Sequence, residues 1–359
     1  MNSQFQINLP NFNEYKQEFK NQGIVTPLPV VPFSKTGLLA ELPSPPPQKT
    51  GWPWTEEVNP NVYENKTNWP KFSVITPSFN QGCFIEETIR SVLLQNYPNA
   101  EYMIMDGGSS DESLEIIKKY EKWLSFSTSE KDRGQAHAIN RGLSILDGKY
   151  WQWINSDDYY FPDIFKKSIE ILEESECDTL YAGVFESTDD EKISYYRFSF
   201  NVTKEAVINP YSIFNKDFYY KPEATILSVD CSKLAKGVRE DFHNMFDTDF
   251  MTRYSQYAKP IYKDIVIMRY RIHPLTKTIA SARRIYEEYF KMLEEYHPLG
   301  TKYWFLVILK KAGFISTREQ GDCKNRVELM MLAFRLLSSY PYVVISKAYW
   351  GLWRKIILN

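Results

Sequence analysis

No stretch of 18 consecutive apolar residues occurs in the 359-residue chain, so no membrane-crossing helix is expected. Cysteine is scarce: Cys83, Cys177, Cys231 and Cys323 lie far apart, which excludes a paired-thiolate zinc site or a dithiol redox motif and leaves reduced, cytosolic thiols as the simplest reading. Excess charge of one sign is lacking too. The 43 Lys/Arg against 45 Asp/Glu leave a net charge of −2, which argues against a protein that coats nucleic acid. No G-x-G-x-x-G follows a predicted strand and no G-x-x-x-x-G-K-[ST] is present, which removes the dinucleotide fingerprint and the P-loop. Met1 to Gln22 has Asn, Gln, Glu and Lys where a signal peptide needs an apolar run. A cytoplasmic location is therefore expected, and the sequons at Asn65 and Asn201 read as chance. There is no internal repeat.

Aromatic residues, by contrast, are abundant at 16% of the chain, enough for flat amphipathic surfaces suited to sugars, bases or a membrane interface as well as for an aromatic core. Ten of the 20 prolines lie between Pro27 and Pro70. Residues 1–70 are thus predicted to be a Pro-rich arm of extended backbone, wrapping the globular part with Trp52, Trp54 and Trp69 as anchors. Docking of a proline-reading domain is the alternative. At the other end, Thr301 to Asn359 holds ten Lys/Arg and three acids, a net of +7 that leaves −9 for the preceding 300 residues. Tyr303–Leu309, flanked by Lys302, Lys310 and Lys311, and Tyr342–Leu358, with Lys347, Arg354 and Lys355, set aromatics and aliphatics beside basic residues. Residues 279–359 therefore read as a helical basic/aromatic region, suited to peripheral contact with the inner membrane face or to covering the domain.

Between these flanks, hydrophobic periodicity alternates. Phe72–Pro77, Tyr102–Met105, Phe126–Ser129 and Tyr150–Asn155 read as strands, separated by helices from Ile85, from a cap at Ser110 or Asp111, and over Ala136–Leu146. A fourth helix is predicted over Pro162–Glu174. Strands alternating with helices of this length make βαβ units and a parallel sheet. Residues 71–183 are therefore predicted to be a nucleotide-binding half, and 184–278, with Tyr-rich strands and irregular loops, a second, mixed half.

Chemistry gathers where these strands stop. Tyr150-Trp151-Gln152-Trp153-Ile154 runs into Asn155-Ser156-Asp157-Asp158, while Asp106 ends another strand and Pro77-Ser78-Phe79-Asn80 a third. The carboxyl edge of an open α/β sheet is where ligands bind, and adjacent acids there offer hard oxygen ligands to a phosphate-bearing divalent cation. A solvated helix cap accounts for Asp157 and Asp158 equally well.

Taken in order, Val74-Ile75-Thr76-Pro77-Ser78-Phe79-Asn80, Asp106-Gly107-Gly108-Ser109-Ser110-Asp111, Asp132-Arg133-Gly134-Gln135 with Asn140 and Gly142, and Asn155-Ser156-Asp157-Asp158 resemble the family 2 glycosyltransferases. The resemblance covers residues 71 to about 275 and implies that 71–183 binds the nucleotide sugar and 184–278 the acceptor. It implies an α/β, A-type glycosyltransferase fold: a Rossmann-like, mixed but mainly parallel sheet flanked by helices. The implied reaction is inverting transfer from a nucleotide-diphosphate sugar, UDP-sugar favoured, with Mn²⁺ or Mg²⁺, to a glycan or lipid-linked acceptor in cell-surface polysaccharide synthesis.

Position by position, the resemblance implies nucleotide or substrate contacts for Pro77, Ser78, Phe79, Asn80, Asp106, Arg133, Gln135, Asn155 and Ser156. Metal ligands would be Asp157, Asp158 and His273, and Asp247, in Phe246-Asp247-Thr248-Asp249-Phe250, the general base. Two departures stand out: Asn155 replaces the usual first acid of the D-x-D position, and Gly107 replaces an acid common in relatives. These leave open a degenerate glycosyltransferase-like module that binds nucleotide or glycan without turnover. A nucleotidyltransferase is a further alternative, but Ser78–Gly82 lacks the Gly-rich basic loop that class needs after its first strand.

Overall fold

The computed structural model describes residues 9–189, 192–197, 222–273 and 282–296, together with residues 330, 331, 333, 334, 338 and 350. These fall into two units, the larger ending at residue 273 and the smaller beginning at 282. The expected segments Tyr303–Leu309 and Tyr342–Leu358, apart from Trp350, lie outside the described residues, as do all of residues 198–221.

The larger unit opens with a helix that the sequence reading did not anticipate. The Asn11 side chain accepts the Asn13 N–H and caps α1 (Phe12–Asn21). Tyr15 and Phe19, one turn apart, are buried on its inner face, and α1 packs against α4. Beyond it the arm lies along the sheet domain. Val31 N–H bonds the Ala100 carbonyl at 2.8 Å, and Val58 N–H the Leu94 carbonyl at 2.9 Å. Arg90, fully buried, ties the arm from within by donating to the carbonyls of Pro43, Pro53 and Trp54. Trp69, Tyr63 and Tyr97 meet edge to face at 5.2–5.8 Å, an arrangement worth about 0.5–1.5 kcal/mol per pair beyond area burial.

The sheet domain then follows as β1 (Phe72–Ser78), α2 (Gly82–Leu93), β2 (Ala100–Asp106), α3 (Ser113–Tyr120), β3 (Phe126–Ser129), α4 (Gln135–Ile145), β4 (Tyr150–Trp153), β5 (Tyr159–Tyr160) and α5 (Ile164–Glu174). Next come β6 (Thr179–Asp189), β7 (Lys192–Arg197), β8 (Thr225–Ser228), α6 (Val229–Leu234), α7 (Phe246–Tyr254) and β9 (Pro260–Ile272). The smaller unit contributes α8 (Ala282–Tyr296), with Tyr289, Phe290, Met292 and Leu293 buried and an Arg284–Glu288 ion pair one turn apart. Among the described residues, no helix is long and apolar enough to cross a membrane.

Two predicted helix starts move. Asp111 does not cap α3. It turns the chain just ahead of it, one oxygen accepting the Ser113 N–H and the other the Gly82 N–H. Partial burial opposes its ionisation, but the Ser113 and Gly82 donors outweigh this and hold its carboxyl below the usual range. Likewise α5 begins at Ile164 rather than Pro162, because Asp163 takes a left-handed conformation (φ 64°).

The sheet order is β3-β2-β1-β4-β8-β6-β9-β5, with β7 on β6. β3, β2, β1 and β4 are parallel, as the βαβ pattern predicts, and β1 and β2 are buried along their whole length. Beyond β4 the sheet turns mixed. β8 inserts antiparallel between β4 and β6, and β9 runs parallel to β6 and antiparallel to β5. The core on one side joins Phe72, Val74, Tyr102 and Ile104 to Ile85, Ile89, Ile116, Ile117 and Phe165. At the amino edge, Glu101 is buried: Ser73 donates its hydroxyl to Oε2 at 2.6 Å, while Oε1 has no partner. Burial pushes its carboxyl up to about 7.

Candidate functional site

All four parallel strands present their carboxyl ends at one edge, so the loops after β1, β2 and β4 meet there. The β1 and β2 loops are stitched together. Asn80 adopts a left-handed conformation (φ 52°) that asparagine tolerates. Its N–H bonds Ser109 Oγ at 2.8 Å, and its Oδ1 accepts the Ser110 N–H at 2.9 Å. Phe79 beside it is 60% exposed, a free aromatic face at the rim. Pro77 lies within buried β1, and Ser78 accepts the Gly107 N–H through its carbonyl while its own Oγ is buried without a partner.

Asp106 organises this pair of loops. Its Oδ2 accepts from the N–H groups of Gly108 and Ser109 and from the Ser129 hydroxyl at 2.6 Å; its Oδ1 accepts the Ser109 hydroxyl at 2.5 Å. The carboxylate is 1% exposed. The expected role, accepting from a nucleotide base, thus meets an acid already engaged by four internal donors. Gly107 finds its explanation nearby: a Cβ there would stand 3.1 Å from the Asp132 carboxylate, so an acid at 107 would confront Asp132.

Arg133 donates to Glu240 at 2.9 and 3.0 Å and to the Tyr15 hydroxyl at 3.0 Å. Tyr15 bonds Glu240 in turn, and Asn140 Nδ2 donates to Glu240 at 3.0 Å. Burial works against Glu240 ionising, yet the Tyr15, Asn140 and Arg133 donors pull its carboxyl below the usual range. His137 packs edge-on to Tyr15, and burial lowers its pKa. It is a packing residue, as its sequence position on α4 suggests.

The turn after β4 is held from several sides. Ile154 N–H still bonds the Ile75 carbonyl, and Asp158 N–H bonds the Asn155 carbonyl, closing the turn. From α2, the Thr88 hydroxyl reaches the carbonyls of Asp158 (2.6 Å) and Ser156 (3.0 Å). From α4, Gln135 Nε2 donates to Asn155 Oδ1 at 2.7 Å. The Asn155 amide in turn donates to Glu223 Oε1 at 2.8 Å and to Asp158 Oδ2 at 3.3 Å. From the end of β9, Arg271 N–H bonds Asp158 Oδ1 at 2.9 Å, and His273 Nε2 lies 3.0 Å from Asp157 Oδ2. The His273 ring stacks on Phe84 of α2 at 4.6 Å.

Of the three expected metal ligands, the structure therefore brings Asp157 and His273 together. Asp158 is not beside them as a ligand: its carboxylate is fully buried and turned to backbone and amide donors, because the residue closes the turn. Among the described residues, no three His, Cys, Asp or Glu side chains converge as a metal cluster. Two protein donors, one hard carboxylate and one imidazole, nevertheless fit a cation whose remaining ligands are phosphate oxygens and water. Asp247 lies in the first turn of α7, its Oδ1 accepting the Thr248 N–H and hydroxyl. Asp249, two residues on, is fully buried in an ion pair with Arg253 at 2.8 Å and with Arg239 at 3.6 Å. Glu223 and Asp132, which the sequence reading did not assign, are the additional acids at this edge.

Residues 73–242 match the family described as Glycosyl transferase family 2. The putative teichuronic acid biosynthesis glycosyltransferase TuaG of Bacillus subtilis (strain 168) is 37% identical over 121 residues, covering 33% of this chain and 48% of that protein. An uncharacterized glycosyltransferase of Rickettsia prowazekii (strain Madrid E), RP339, is 25% identical over 283 residues, covering 72% of this chain and 84% of the other. This chain thus spans about half the length of TuaG. Among solved structures, S. aureus TarS 1-349 in complex with UDP-GlcNAc superposes with a TM-score of 0.50 at 18% identity, covering 80% of this chain and 79% of that one, a likeness of fold.

Proposed function

The chain carries a family 2 glycosyltransferase domain, and from that premise we propose that it transfers a sugar from a nucleotide-diphosphate sugar to a hydroxyl group of a glycan or lipid-linked acceptor, inverting the anomeric carbon. The observation that carries the reading is the Asp157–His273 pair, 3.0 Å apart at the carboxyl edge, beside the stitched Phe79–Asn80 and Asp106–Ser110 loops.

Phe79 offers its exposed face to the base, and Asn80, held in place by Ser109 and Ser110, lies along the ribose. Pro77 and Ser78 set the floor beneath them, with Asp106 shaping the loop from below. Ser156 and the Gln135–Asn155 pair border the diphosphate, and Arg133 is a cation at the same rim. Asp157 and His273 are the residues that would hold Mn²⁺ or Mg²⁺. A cation held there would supply positive charge against the departing diphosphate. Asp247 takes the proton of the acceptor hydroxyl as its oxygen attacks the anomeric carbon from the face opposite the leaving group. A UDP-sugar is the favoured donor. The relative named for teichuronic acid biosynthesis points to a cell-surface polysaccharide acceptor. The aromatic segment 303–309, flanked by Lys302, Lys310 and Lys311, and the basic, aromatic segment 342–358 suit a protein working against the inner face of a membrane that carries such an acceptor.

A second reading, a binding module without turnover, is favoured by the inward-facing Asp158. One experiment separates the two: hydrolysis of UDP-, GDP- and dTDP-sugars with Mn²⁺ or Mg²⁺, with EDTA, and with Asp157→Ala. Turnover of one donor that falls on the order of 10²-fold in the variant and stops in EDTA is the expected result. Metal-dependent nucleotide binding without hydrolysis, even with acceptor glycans supplied, would instead support the module.

A further inference from the structure

Glu223 belongs to a short 3-10 turn, Pro222–Ala224, that leads into β8. Because β8 runs antiparallel to β4, with Tyr150 opposite Ser228 and Trp151 opposite Leu227, each step back along one strand advances along the other. Continued beyond the strands, that register sets Glu223 opposite Asn155. The hydrogen bonds agree. Asn155 Nδ2 donates to Glu223 Oε1 at 2.8 Å, and the Gln152 side-chain amide bonds the Glu223 carbonyl.

The Asn155 amide is engaged at both ends: its oxygen accepts from Gln135, and its nitrogen donates to the carboxylates of Glu223 and Asp158. Glu223 differs. It is 7% exposed, and its Oε2 is buried without a hydrogen-bond partner. Leaving a buried acceptor unpaired costs about 1–3 kcal/mol, and Glu223 carries this two residues of register from the Asp157 that faces His273. On each side of a diphosphate held at Asp157 stands a hydroxyl-bearing ring, the ribose on one and the transferred sugar on the other.

We propose that Glu223 Oε2 accepts a hydrogen bond from a hydroxyl of the bound nucleotide sugar, so that this strand end reads the donor through an acid delivered by β8 rather than through Asn155. The proposal rests on the nucleotide-sugar reading given above. Its two candidate sources, ribose and transferred sugar, are separated by the ligands used to test it.

The test is calorimetric titration of the full chain with UDP and with UDP-N-acetylglucosamine, in Mn²⁺, for the wild type, Glu223→Gln and Asn155→Asp/Glu223→Gln, each checked by thermal unfolding. Glu223→Gln is expected to unfold as the wild type does and to bind on the order of 10-fold more weakly. Weakening of both ligands identifies the ribose, and weakening of the nucleotide sugar alone identifies the transferred sugar. The double variant, which returns a carboxylate to the end of β4, is expected to regain part of the loss. Unchanged affinity for both ligands would overturn the proposal, as would a loss that follows a lowered unfolding transition and is not regained. If the wild type binds neither uridine ligand, nor GDP nor GDP-mannose, the function proposed above fails first and this assignment with it.

Discussion

Replacing Glu101 by Gln should stabilise the protein at pH 8 and leave it nearly unchanged at pH 5. Glu101 sits at the amino edge of the sheet, its Oε2 bonded to the Ser73 hydroxyl and its Oε1 buried without a partner. Burial raises its pKa from 4.5 to about 7. The folded state therefore keeps this proton through a range where the unfolded chain has released it. Unfolding free energy falls wherever the native state holds more protons than the unfolded state. Its contribution is complete below about 4.5, declines as pH rises, and is gone above about 7. The gap between 4.5 and about 7, at 1.36 kcal/mol for each tenfold change in proton affinity, corresponds to about 3 kcal/mol. Gln is neutral at every pH and matches the protonated carboxyl in shape, so the difference between variant and wild type isolates this one group. Thermal unfolding of both proteins at pH 5, 6, 7 and 8 is the assay. The curves of midpoint against pH should diverge between pH 5 and 7, the variant melting higher on the alkaline side. Parallel curves would refute the reasoning, and a lower midpoint for the variant at pH 5 would show that Gln fails to replace the acid.

Two further substitutions address the loop that Asp106 organises. Asp106→Ala removes the acceptor for four donors and should cost about 2–4 kcal/mol, measured by urea unfolding, while weakening nucleotide binding because the Asn80–Ser109 stitch loses its support. Gly107→Asp sets a second carboxylate against Asp132 and should destabilise the chain by about 1 kcal/mol or more at low ionic strength, with part of the loss recovered in high salt.

The parallel half of the sheet was legible because each of its strands is a short apolar run that stops abruptly. Asp106 and the Asn155–Asp158 turn fall where Asx and Gly residues end a strand, and that is enough to place them at one edge. Register and side-chain direction were not legible. Nothing local in Asn-Ser-Asp-Asp distinguishes Asp157, which faces His273, from Asp158, which turns inward to the Arg271 N–H. The place of Glu223 beside Asn155 was not legible for a topological reason: an antiparallel strand from some 70 residues downstream inserts beside β4, and periodicity carries no record of which strands become neighbours. In α1 the signal was present, an Asn cap before Phe12, Tyr15 and Phe19 at helical spacing, but the proline-rich stretch after it dominated the reading of the arm.

The tie between Asp157 and His273 spans 116 residues, and Arg271 reaches Asp158 across 113. Closing loops of that length is entropically slow, whereas the βαβ units between β1 and β4 close over short distances. During synthesis the parallel strands β1 to β4 therefore emerge together while the carboxyl edge of the sheet is still open. The β8 and β9 strands that finish the edge leave the ribosome well after β1 to β4, so a chain released before residue 273 has an Asp157 with no His273 beside it. Asp157 thus acquires its His273 partner only once β9 is in place.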